Sequence, residues 1–129
     1  MNYTSTRNNT LSVSSAYAIA NGISAEGGLF VPTDIPKVSH EFIDSLVPMT
    51  YIERARKVLS LYLTDFTADE INEDTEGAYS TGFTHEKVAP VVNLHDNVNI
   101  LELWHGPTCA FKDMALQLLP YLLTGSAEK

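Results

Sequence analysis

Apolar and polar positions alternate first at helical, then at strand spacing along the chain. "YTSTR", near the start, has the β-branched alternation of a short strand. In "LSVSSAYAIANGI" the residues Val13, Ala16, Tyr17 and Ala20 recur at helical spacing, with Ser12 placed to cap the helix and Gly22 to end it at positive φ. "EGGLFVPTDIP" reads as a glycine turn, a brief strand over Leu29 to Val31, and a proline-bounded loop. "SHEFIDSLVP" is a short helix capped by Ser39 and stopped before Pro48. Two capping boxes follow. Thr50 with Glu53 opens a helix whose stripe is Ile52, Ala55, Leu59, Tyr62 and Leu63. Thr67 with Glu70 opens another, with Phe66 and Ile71 at the two positions of a hydrophobic staple.

The pattern changes after Gly82. "APVVNLHDNVNILELW" offers two apolar strands around the turn residues His95, Asp96 and Asn97. "HGPT" then leads into "CAFKDMALQLLPYLL", a helix in which Pro120 removes a backbone donor and should introduce a bend, and which Gly125 should end. The expected organisation is a mainly helical domain over 1–88 and the start of a second, strand-loop-helix unit over 89–129. A hairpin and one helix make a poor core alone. The unit reads as unfinished, and the expectation is a piece of a longer α/β protein, α+β within these residues. Its uncovered strands and leucine-rich last segment should then favour self-association, or displacement of helix 112–124.

Composition narrows the function. Of 129 residues, 44% are hydrophobic and 19% charged, as in an ordinary globular domain. The net charge is −8, and no basic stripe is present to replace phosphate counterions, so nucleic acid is not an expected partner. No apolar run is long enough to cross a bilayer, and the polar "MNYTSTRNNT" lacks the apolar core of a secretory signal. A single cysteine, Cys109, allows no internal disulfide, and the cytoplasm is the expected compartment. The acids around Asp65 to Glu76 lack the glycine and ligand spacing of a calcium loop and read as a solvated face. His40, His85 and His95 show no metal-ligand spacing, and no metal is expected.

Lys112 raises a sharper question. It stands between Phe111 and Asp113 at the expected start of a helix, where partial positive charge disfavours a cation. Burial beside Ala110, Phe111 and Ala115 would disfavour it further, and Asp113 would oppose both effects. A discharged amine there suits Schiff-base chemistry. The competing reading is a surface lysine whose charge reaches water.

Three segments together carry a resemblance. "LELWHGPTCAFKDMALQ" closely resembles the threonine synthase signature, usually ELFHGPTLAFKD. "YTSTRN" resembles that family's opening Y-x-S-T-R-G, and "AIANGISAEGGLFVP" its glycine-rich G-L-x-x-D-G-G-L-Y/F-V-P segment. Order and spacing agree over essentially the whole chain. The resemblance implies that Lys112 binds pyridoxal 5'-phosphate and acts as base and acid on the substrate carbons. It also implies that Phe111 packs against the cofactor ring, that His105 and Thr108 line the active-site loop, and that Gly106 and Pro107 shape it. The implied reaction converts O-phosphohomoserine and water to threonine and phosphate. Departures are small. Asn8 replaces a glycine and is the next-best residue at positive φ. Trp104 replaces phenylalanine. Met114 and Cys109 replace apolar residues, with Cys109 expected to be buried packing. Arg7 lies in the opening motif, where a structural salt bridge is the expectation.

The family's S-G-D-T-G loop for the substrate carboxylate and its second glycine-rich loop for the cofactor phosphate do not occur in this chain. The chain alone is therefore expected to be inactive, with the remainder of its catalytic domain as a necessary partner. Two other readings stay open: a threonine-synthase-like phospholyase acting on another amino acid, and a non-catalytic packing or regulatory domain.

Overall fold

The computed structural model describes residues 1–129. Its first layer is a three-stranded antiparallel sheet of β1 (Tyr3–Ser5), β2 (Asn8–Val13) and β3 (Phe30–Pro32), in the order β2-β1-β3. Tyr3 faces Val13 on one side and Pro32 on the other, so the sheet joins the first two recognised segments. Side chains reinforce the join. Ser5 Oγ lies 2.9 Å from Ser24 Oγ, and Ser24 Oγ accepts the Gly28 N–H at 3.1 Å. Any Cβ on residue 28 would overlap Ser5 Oγ, so the close approach requires glycine.

Helix α1 (Ser15–Asn21) begins two residues later than its periodicity and the expected Ser12 cap predict. Pairing with β1 takes residues 11–13 into β2, and Ser14 rather than Ser12 accepts the capping N–H, from Tyr17. Gly22 ends the helix at φ 68, as expected. Asn8 is not at positive φ. It sits in β2, and its side-chain oxygen accepts from the Thr10 N–H and hydroxyl.

Helix α2 (His40–Leu46) is capped by Ser39, and Arg54 donates to the Leu46 and Val47 carbonyls at its far end. Helices α3 (Tyr51–Tyr62) and α4 (Ala68–Tyr79) pack together, and both capping boxes form as their sequences predict. Two of the five acids of α4 form ion pairs at the surface. Glu76 pairs with Arg56 at 2.6 Å and Glu70 with Lys129 at 2.8 Å.

Strands β4 (Val91–His95) and β5 (Val98–Leu101) form a separate antiparallel hairpin about Asp96 and Asn97, with Asp96 at φ 44. Val88, just before it, is buried yet has φ 58. The Ala89 N–H reaches back to the Lys87 carbonyl around it, a tight turn that a β-branched residue adopts only under strain.

The expected long C-terminal helix is two elements, α5 (Asp113–Leu116) and α6 (Leu119–Ala127). Pro120 is in the first turn of α6, where its missing N–H costs nothing, and Gly125 lies inside that helix rather than at its end. Far from being displaced, α6 packs on α1 and α4. It places Leu118 and Leu122 in one core with Ala16, Leu63, Phe66 and Ile71.

The fold is α+β, with about 40% of residues helical. It is therefore not mainly helical: the N-terminal part contains the three-stranded sheet and long extended connections between its helices.

Candidate functional site

Three segments meet ahead of α5: the 82–85 loop, the end of β5 with the residues that follow it, and the turn 106–112. His105 joins the first two. Its Nε2 lies 2.7 Å from Glu102 Oε2 and its Nδ1 3.2 Å from Thr84 Oγ1. The Thr84 N–H donates to the His105 carbonyl at 2.9 Å. The ring leans on His85 and Trp104 at centroid distances of 5.1 and 5.8 Å. Both ring nitrogens of His105 are thus engaged by side chains. Glu102 and Thr84, which hold the ring, were not singled out by the sequence pattern. Spacing offered one signal, since Glu102 stands three residues before His105.

The turn itself is closed by Asp113. The Cys109 N–H donates to the Gly106 carbonyl at 3.1 Å. Asp113 then accepts the Thr108 N–H on Oδ2 and the Thr108 hydroxyl on Oδ1, each at 2.8 Å. Its own N–H donates to the Ala110 carbonyl at 3.1 Å. Asp113 is 1% exposed. Burial works against its charge. The hydrogen bonds from the Thr108 side chain and backbone and from Ala110, with the nearby Lys112 charge, outweigh it and hold the carboxyl below the usual range. Gly106 covers this carboxylate: a Cβ there would stand 2.5 Å from Asp113 Cβ, so no larger residue fits without movement.

Lys112 and Phe111 project outward from the braced turn. Phe111 is 75% exposed, Lys112 is exposed, and no carboxylate lies within ion-pair distance of the Lys112 amine. The burial invoked for the lysine is absent, and α5, only four residues long, begins after it. Cys109 is likewise exposed, at φ 55, and not a packing residue: the turn reverses there, which swings its side chain away from the core. Behind the turn, the Tyr79 hydroxyl donates to the Met114 carbonyl at 2.7 Å and ties α5 to α4. An open apolar groove of about 610 Å³ runs beside it, lined by Val58, Tyr79, Val91, Leu101, Phe111 and Met114 among others. Pro107 and Thr108 are exposed at the rim of the turn. Arg7 lies apart from this site. It forms no salt bridge, and its guanidinium donates instead to the Glu26 carbonyl at 3.2 Å, because the glycine turn brings that carbonyl to it.

Lys112 is thus presented on a braced turn beside an apolar groove. Comparison with known proteins gives the chain a family. The family model described as "Threonine synthase N terminus" matches residues 2–79. Threonine synthase of Schizosaccharomyces pombe is 39% identical over 121 residues, covering 92% of this chain and 23% of the relative. Threonine synthase-like 1 of Homo sapiens is 44% identical over 108 residues, covering 81% and 14%. The crystal structure of PLP-bound threonine synthase from Brucella melitensis superposes with a TM-score of 0.92 at 34% identity, over 99% of this chain and 28% of that one. The chain belongs to the threonine synthase family, as its N-terminal region. It spans about a quarter of the length of that S. pombe relative.

Proposed function

We propose that this chain is the N-terminal portion of a pyridoxal-phosphate-dependent enzyme that converts O-phosphohomoserine and water to threonine and phosphate, with Lys112 as the residue that holds the cofactor. The observation that carries the reading is the Lys112 amine, exposed and without an ion-pair partner, on the turn that follows HGPT. The residues fit the group. A primary amine free of carboxylate partners is what condensation with an aldehyde needs, and the exposed Phe111 ring beside it offers an apolar face to a pyridine ring. When bound, the cofactor supplies an electron sink for charge developing on the substrate carbons. The chain's own groups do the rest. Lys112 moves protons on and off those carbons. Gly106 and Pro107 shape the turn, Thr108 lines it, and His105, held by Glu102 and Thr84, fixes its entry.

The substrate-carboxylate and cofactor-phosphate loops belong, in this reading, to the remainder of the catalytic domain, which is the chain's necessary partner. Residues 1–88 form the N-terminal domain and 89–129 the start of the pyridoxal-phosphate-binding α/β domain. The working compartment is the cytoplasm. The complete protein should release phosphate from O-phosphohomoserine and form threonine, whereas the 129-residue chain alone should do neither. Phosphate release from the chain alone, or none from the complete protein, would contradict the proposal.

A second reading has a specific observation behind it. Identity to human threonine synthase-like 1, at 44%, exceeds the 39% to the S. pombe enzyme, though over a shorter stretch. A phospholyase acting on a different phosphorylated amino acid would release phosphate from that substrate without forming threonine.

A further inference from the structure

We infer that Asp113 is a positioning residue for Lys112: its side chain and backbone brace the turn from which the lysine projects. This rests on the reading of Lys112 as the cofactor-holding residue and adds to it the group that aims that residue. Residues 108–113 form a short loop, and one residue closes it by three hydrogen bonds. Two run from Thr108 to the two carboxylate oxygens, and one runs from the Asp113 N–H to Ala110. Lys112 and Phe111 lie inside the span that these bonds clamp. The Cys109 N–H also donates to the Gly106 carbonyl, and the Met114, Ala115 and Leu116 N–H groups hold the Phe111 and Lys112 carbonyls from the α5 side, whereas the Asp113 side chain alone ties the far end of the loop at Thr108. The brace is shielded as well as bonded. Asp113 is 1% exposed, and Gly106 lies so close above it that no Cβ is tolerated. A turn held in this way fixes the direction of the Lys112 Cα–Cβ bond before any ligand arrives. Such pre-orientation matters because misplacement of a reacting group by about 1 Å can cost on the order of 100-fold in rate.

The chemistry of the carboxylate separates positioning from charge. Thr108 presents one obligate donor, its N–H, and one hydroxyl that can donate or accept. An asparagine at 113 would accept the N–H on its oxygen and donate its amide to the hydroxyl, keeping both bonds while losing the negative charge. An alanine would lose both bonds and the charge. Removing the Thr108 hydroxyl alone, with Thr108→Val, breaks one bond and leaves the charge in place.

The complete protein and its Asp113→Asn, Asp113→Ala and Thr108→Val variants should be mixed with pyridoxal phosphate. The rate of cofactor attachment to Lys112 is then followed by absorbance and by borohydride trapping with peptide mapping. Circular dichroism of each variant confirms that it is folded. Positioning predicts attachment slowed on the order of 100-fold in Asp113→Ala. It predicts a smaller loss in Thr108→Val, and a rate in Asp113→Asn within about 10-fold of the parent. Equal losses in the Asn and Ala variants, or no loss in a folded Ala variant, would overturn the brace. Failure of the parent protein itself to label at Lys112 would instead remove the functional reading on which the brace rests.

Discussion

Asp65 shows how a single acidic residue can be read in two ways. In the sequence it belongs to a run of acids that looks like a solvated face. In the fold it reaches across to α1. Its carboxylate accepts the Ser15 hydroxyl and, at 2.9 Å, the Ala16 N–H, satisfying donors at the start of that helix. Partial burial works against its charge, but these hydrogen bonds prevail and hold its pKa below the ordinary value. The sign of the pH effect follows. The unfolded chain binds the proton more tightly, so the stabilisation is present above the unfolded value, about 3.9, and is lost as pH falls through the lower folded value. Urea midpoints measured from about pH 6 down to about pH 2 should fall on the acid side, and Asp65→Asn should flatten that fall. An unchanged acid slope in the variant would contradict the capping role. The misread residues share one cause with Asp65: their role depends on which distant backbone they meet. Statistics for free cysteine favour burial, but a left-handed φ at Cys109 turns the side chain outward. Arg7 looked like half of an ion pair, and the glycine turn gave it a carbonyl instead.

At the scale of elements, local signals held where both partners lie within one turn of sequence. Ser39, Thr50 and Thr67 cap their helices, and the two Glu residues complete their boxes, since each bond spans only three residues. Competition between local and distant partners defeated the rest. Ser12 was the expected cap, and pairing of Val13 with Tyr3 moves the helix start so that Ser14 caps it instead. Periodicity through "CAFKDMALQLL" suggested one continuous helix. The Asp113 side chain reaching back to Thr108 instead favours tight turns before α5, and helix resumes at Leu119 with Pro120 in its first turn. The hairpin was legible as strands, and its surroundings support a prediction. Val92 faces Ile100 across the ladder, and with Leu94 and Val98 they make an aliphatic face 38–61% exposed. Both of its edges are unpaired. We propose that the isolated chain associates with a second copy through this face, since exposed edges and apolar patches template such pairing. Light scattering should show a dimer or larger species, and a Val92→Lys, Ile100→Lys double variant should restore the monomer. A parent chain that remains monomeric at high concentration would refute it.

Across the whole molecule, the core runs without a break from the N-terminal helices into α6. Leu118 and Leu122 pack with Phe66 and Ile71, and Tyr79 bonds to Met114. The turn carrying Lys112 is therefore mounted on the N-terminal helices rather than suspended from the hairpin. That continuity explains why the family was readable from three separated segments. Two of them meet in the β1–β3 sheet, and the third is anchored through α5 and α6 to helices that pack on that sheet's neighbours. No helix of the structure is long and apolar enough to cross a membrane. What the sequence could not supply was the company that Lys112 keeps, because Thr108, Gly106 and Asp113 acquire their roles only once the turn closes. The central claim is that this one amine, among the chain's lysines, holds the cofactor. Its most direct test is borohydride reduction of the complete protein with pyridoxal phosphate, followed by peptide mapping. The account predicts the label on Lys112 and its loss in Lys112→Ala, and a label on any other lysine would contradict it.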